Sequence, residues 1–197
     1  MTEITEPGRI LPCLQPPGWS DANTVLCEPL VGAAPLWNGA IPLPLVAYGV
    51  DRADAFEFFA PDASRLVELR AVARATLTGL SFELDLLDYE TFRVLDVHGS
   101  YFASESILDP ARMRDFQTRL GTDMLAVGIP CRGHAYVTAG TQDETSLRRF
   151  VDLIALQYES AGQPLFSLPV IVQDGEVIGL LRLADDGEFE DGDEVRL

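Results

Sequence analysis

The stretch Asp109-Pro110-Ala111-Arg112-Met113-Arg114-Asp115-Phe116-Gln117-Thr118-Arg119-Leu120-Gly121, followed by Met124-Leu125-Ala126-Val127-Gly128-Ile129 and Pro130-Cys131-Arg132-Gly133, settles the architecture. Asp109 is placed to cap a helix. Pro110 suits its first position, where a missing N–H costs nothing, and Gly121 suits the residue just past its end. Met113, Phe116 and Leu120, at steps of three and four, form one apolar stripe. Met124 to Ile129 is unbroken by polar residues, the pattern of a strand covered on both faces. The Pro130–Gly133 turn then reverses the chain, and His134 to Thr138 leads it back.

Neighbouring segments repeat this alternation of helix and hairpin. Downstream, Thr141-Gln142-Asp143-Glu144 has the form of a capping box opening a third helix, with Leu147, Phe150, Val151, Ile154 and Tyr158 on its buried side and Gly162 at its end. Phe166 to Val172 and Val177 to Leu183 read as strands joined by Asp174-Gly175, a strong hairpin signal. Upstream, Phe92 to Val97 alternates as a strand does. His98-Gly99-Ser100 reads as its turn, with Tyr101-Phe102-Ala103 as the returning strand. Before that, Pro61 and Asp62 open a first helix that carries Leu66, Leu69, Ala73, Leu77 and Leu80 on one face. Leu45 to Val50 suits a strand. The order predicts an α+β domain, a mainly antiparallel sheet built from hairpins with three helices packed on one face. A doubly wound fold is the lesser alternative.

Three segments follow from composition. Eight of the 13 prolines fall within residues 1–44, which argues against a long helix or an interior strand there. Yet Trp19, Leu26, Leu30, Leu36 and Trp37 make residues 1–42 too apolar for a free linker. They read as an extended proline-rich arm, with a short strand around Thr24 to Cys27, packed on the domain or bound to a partner. Residues 43–184 form the α+β domain. Residues 185–197 form an acidic tail, in which Asp185 to Glu194 holds seven acids in ten residues. No EF-hand register fits that tail, so it reads as a solvated end, with weak divalent-ion trapping as the sharper alternative.

The charge excludes partners. The chain of 197 residues has 14 basic residues, all arginine, against 31 acidic ones, a net charge of −17. Nucleic-acid and anionic membrane surfaces call for a basic stripe, and the largest arginine clusters here are pairs such as Arg148 and Arg149. Such a charge serves solubility, or a basic protein partner. The acidic start Met1 to Glu6 shows no secretory signal, and no apolar run reaches the roughly 18 residues of a membrane span. Three cysteines, Cys13, Cys27 and Cys131, read as reduced thiols. A cytoplasmic protein is expected.

Most catalytic signatures are missing. No two glycines flank a single residue, so there is no dinucleotide fingerprint. Without lysine there is no Walker lysine or Schiff base. Two histidines cannot build a three-histidine metal site. Cofactors and metals are accordingly expected to be none. Cys131-Arg132-Gly133-His134 remains the one catalytic candidate, a thiol beside a cation with His134 or His98 as its base. The alternative is a half-buried thiol beside a strand histidine. Carboxylates such as Asp85, Asp96, Glu105 and Asp109 are too many for any pair to stand out. Ser100 to Ser106 mixes hydroxyls and aromatics in front of a helix. Tyr101 and Ser104 therefore join Arg132, Trp19 and Trp37 as candidate binding residues.

The order of Tyr101-Phe102-Ala103-Ser104-Glu105-Ser106-Ile107-Leu108, then Asp123 to His134, then Pro164-Leu165-Phe166-Ser167 resembles a bacterial domain-of-unknown-function family over about residues 43–180. That family shows a tyrosine–alanine–serine segment before a helix, an apolar strand ending in a proline–small–arginine turn, and a proline–leucine–serine entry to a last hairpin. Gly133 stands where the family often has an acid, and Cys131 where it has a small hydroxyl residue. The resemblance implies a cytoplasmic bacterial α+β protein and brings no established activity. The expectation is a non-enzymatic interaction protein with an acidic surface, immunity- or adaptor-like, binding a basic protein or a second copy of itself as a homodimer. The alternatives are a small cysteine-dependent hydrolase or transferase centred on Cys131, and a small-ligand sensor.

Overall fold

The computed structural model describes residues 8–31, 41–52 and 54–183. Its first sheet is built around β3 (Leu45–Asp51). On one side β1 (Arg9–Gln15) runs antiparallel to it, from Arg9 opposite Asp51 to Gln15 opposite Leu45. On the other side β2 (Cys27–Pro29) and β4 (Phe56–Phe58) share its length, meeting it at Ala47 and Gly49 respectively. Within the segment expected as an arm up to residue 42, Arg9–Gln15 and Cys27–Pro29 are strands of this sheet, and a 3-10 turn, Ser20–Asn23, lies between them. Leu11 and Leu14 of β1 are fully buried. Pro12 is tolerated because β1 has one neighbour among the described residues, and an edge strand can spare a donor. The short strand expected at Thr24 to Cys27 lies slightly later. Trp37 and the tail at 185–197 fall outside the described residues.

Asp62 caps a 3-10 turn, Ala63–Arg65, that runs into α1 (Leu66–Thr78). Leu69, Ala73 and Leu77 bury the expected face of α1, and the helix packs against β1. Next come β5 (Glu83–Asp88) and β6 (Arg93–His98), an antiparallel hairpin closed by the Tyr89 N–H donating to the Phe92 carbonyl at 2.9 Å. The partner of β6 thus precedes it. Tyr101 to Ala103 is not a returning strand. Gly99 at φ +81° turns the chain, the Ser100 hydroxyl accepts the Phe102 N–H at 3.2 Å, and a 3-10 segment, Ser104–Leu108, follows.

The second helix, α2 (Pro110–Leu120), has the expected ends. Asp109 accepts the Ala111 and Arg112 N–H groups at 3.1 and 3.3 Å, and Gly121 takes the left-handed conformation at φ +67°. Strands β7 (Met124–Gly128) and β8 (Ala135–Ala139) pair as expected. In α3 (Glu144–Ser160) the cap is Asp143, accepting the Ser146 N–H at 3.0 Å, and not Thr141. Strands β9 (Val170–Gln173) and β10 (Glu176–Leu180) meet at Asp174-Gly175, both with positive φ, as a two-residue hairpin requires.

The second sheet has the order β10-β9-β7-β8-β6-β5, antiparallel throughout. Its two faces sort the helices. Leu95, Val97, Leu125, Val127, Val137, Val170 and Val172 share a core with α1, α2 and the first sheet. Val94, Ala126 and Tyr136 face the other way, under Leu147, Phe150 and Ile154 of α3. The helices are therefore not all on one face, which is why the Met124–Ile129 run is apolar on both sides. Among the described residues, no helix is long and apolar enough to cross a membrane.

Candidate functional site

Side chains alternate across a strand, so Glu83 and Asp85 of β5, Asp96 and His98 of β6, and Tyr136 of β8 share the face that α3 partly covers. His134, two residues before Tyr136, joins them. The two histidines singled out from the sequence do come together. Their rings lie 6.1 Å apart and nearly parallel, and the His134 ring lies 6.0 Å from Tyr136. Each imidazole is engaged by carboxylate. His98 Nε2 sits 3.1 Å from Asp85 and its Nδ1 3.6 Å from Glu83, while His134 Nδ1 sits 3.2 Å from Asp96. Glu83 and Asp85 remain open to solvent. The result is a row of three carboxylates on adjoining strands with two imidazoles set among them.

Cys131 lies beside this row in a different state from the one catalysis needs. Its turn is held by the Arg132 N–H to the Gln163 carbonyl at 3.1 Å and the Leu165 N–H to the Pro130 carbonyl at 2.9 Å. Burial raises the thiol's pKa, and the negative charge of Asp96 raises it further. A nucleophilic thiol needs the reverse, a nearby cation and a lowered pKa. Among the described residues no hydrogen bond joins Cys131 to either imidazole. No group of three or more His, Cys, Asp or Glu side chains among them is arranged to hold a metal ion.

Arg132 and Ser104 point inward, not toward a ligand. The Arg132 side chain is 8% exposed and pairs with Glu105, which is fully buried. It also donates to the Leu14 carbonyl. Glu105 accepts the Leu14 N–H at 2.8 Å and the Ser104 hydroxyl at 2.7 Å. Burial holds the Glu105 carboxyl above its ordinary range, with Arg132 as the strongest opposing influence. The Cys13 thiol of β1 is pushed up to about 12, chiefly by burial and then by Glu105. This is a clamp joining β1 to the turn before β8, and it explains why these polar residues are present. Tyr101 is half exposed and carries the Arg132 guanidinium 5.1 Å above its ring, at the rim of an open groove with Cys131, His134 and Gln163. Trp19 packs on Phe58, with ring centroids 5.1 Å apart.

The sequence reading passes over the edge strand itself. Glu83-Leu84-Asp85-Leu86 alternates strictly, and that alternation is the signal that could have found it. No family model, no curated protein and no solved structure matches the chain.

Proposed function

We propose that the chain is a non-enzymatic, cytoplasmic binding protein that engages a basic protein partner through the acidic face of its six-stranded sheet. The observation that carries this reading is the row Glu83, Asp85 and Asp96, adjoining on paired strands. Like charges set side by side repel one another, and an incoming cation relieves that repulsion. The net charge of −17 adds long-range steering of a basic partner toward the surface.

The other readings find less support. The raised Cys131 pKa works against a cysteine enzyme. A ligand sensor would use an enclosed cleft; the groove beside Tyr101, Cys131 and Gln163 is open, and a smaller cleft of about 180 Å³ at Tyr48 is lined by polar groups that already satisfy one another. Arg70 forks onto Glu28, and the Tyr48 hydroxyl donates to Glu28 at 2.5 Å.

The test is capture from a lysate of the cells that make the protein, by the native chain and by Glu83→Gln/Asp85→Asn. Basic proteins retained at low salt, released as salt rises and lost with the variant are the expected result. Retention indifferent to both salt and the variant would overturn the reading.

A further inference from the structure

The six-stranded sheet ends at β5, whose one neighbour among the described residues is β6. The Tyr89–Phe92 bond fixes the phase of that hairpin. Residues 83, 85 and 87 exchange backbone hydrogen bonds with β6, so the N–H and C=O groups of Leu84, Leu86 and Asp88 point out of the sheet. The two faces beside this free edge differ in chemistry. On one stand Glu83 and Asp85. On the other, Leu84 and Leu86 border a groove with Leu95 and Leu120, and Leu86 is 54% exposed. Arg93 and Arg119 also line the groove, and each already faces a carboxylate, Asp88 at 3.5 Å and Asp115 at 2.7 Å.

We propose that β5 is a docking edge for one added strand from a basic protein, a strand in which Arg or Lys alternates with apolar residues. This rests on the acidic-contact reading above and names the place and the partner's local chemistry. In strand addition, main-chain hydrogen bonds supply affinity and alternate side chains supply specificity. Here the cations meet Glu83 and Asp85, and the intervening apolar side chains enter the groove beside Leu84 and Leu86. Charge chooses this occupant over the others. A second copy of β5 would bring Glu83, Asp85 and Asp88 against their own kind, and like charges placed opposite each other destabilise a strand pair. The stretch Asp185 to Glu194 of this chain, with its seven acids, meets the same repulsion.

The experiment uses the full chain and a short synthetic peptide alternating Lys and Val. A scrambled peptide of equal composition serves as control, together with two versions N-methylated on opposite edges. The expected result is binding by the alternating peptide, slowed amide exchange at Leu84, Leu86 and Asp88, and tolerance of methylation on one edge alone. Leu86→Pro removes an outward N–H while sparing the ladder to β6. It should weaken binding about tenfold, the worth of one hydrogen bond. If that variant does not fold, the methylated peptides decide independently. Failure of the alternating peptide to bind, equal binding by the scrambled one, or equal effects of methylation on both edges would overturn the proposal. Should any of these coincide with salt-sensitive capture of basic proteins, acidic contact stands and β5 is not where it happens.

Discussion

Replacing Arg132 with Met tests how the first sheet is joined to the second. Arg132 contacts Glu105, the Leu14 carbonyl and the Tyr101 ring, while Glu105 holds the Leu14 N–H. Met keeps much of the volume and removes the charge. Glu105, fully buried, then keeps the Leu14 N–H and the Ser104 hydroxyl as donors but has lost the opposing charge. Breaking a buried pair by removing one partner costs about 3–5 kcal/mol, because the remaining charge is uncompensated. For a chain of this size that corresponds to a fall in melting temperature of roughly 6–20 °C. Glu105→Gln should cost a similar amount, by stranding the guanidinium.

The double variant, Arg132→Met with Glu105→Gln, leaves no buried charge, and the amide oxygen still accepts the Leu14 N–H. Its cost should fall short of the sum of the single costs by about 2 kcal/mol or more, measured by urea unfolding. The pH dependence is a second, independent readout. Glu105 already sits above its ordinary pKa, and losing Arg132 raises it further. A carboxyl with a raised folded pKa binds a proton on folding. Its contribution is therefore full below the unfolded value of about 4.3 and is lost as pH rises through the folded one. The stability gap between Arg132→Met and the native chain should accordingly narrow as pH falls below neutral. A coupling energy under about 0.5 kcal/mol with a pH-independent gap would refute the clamp.

Three further outcomes are expected. A Cβ on Gly128 of β7 would lie 2.2 Å from Ile154 Cδ1, so Gly128→Ala should lift α3 and cost about 1–3 kcal/mol in urea unfolding; native-like stability would mean that α3 does not rest there. Asp109→Ala removes the cap of α2 and should cost about 1 kcal/mol in the same measurement, whereas an unchanged midpoint would show that the two N–H groups find other acceptors. Cys131 should react with iodoacetamide more slowly than a free thiol near neutral pH and accelerate only in alkali, because burial and Asp96 disfavour its thiolate; faster labelling would revive the cysteine-enzyme reading.

What was legible in the sequence was local, and what escaped it depended on distant partners. Asp109, Pro110 and Gly121 mark α2 because a cap acts within one turn, and Asp174-Gly175 marks its hairpin because both residues occupy positive φ. Strand β1 escapes because its proline content looks irregular until β3 is laid beside it, when Pro12 falls harmlessly on an edge. Strand β5 escapes because Asp and, to a lesser degree, Glu are depleted in strands. Tyr101 to Ala103 misleads in the opposite sense, being strand-like in composition but turned by Gly99 and Ser100. The carboxylates make the same point about sites. Glu105 and Glu83 are one residue type in similarly polar stretches, and nothing nearby in sequence separates them. Yet Glu105 is sealed against Arg132 as a tie between two sheets, and Glu83 stands exposed on a strand that has one neighbour among the described residues. In a chain with 31 acids, tertiary neighbours and not adjacent residues separate the buried Glu105 from the exposed Glu83.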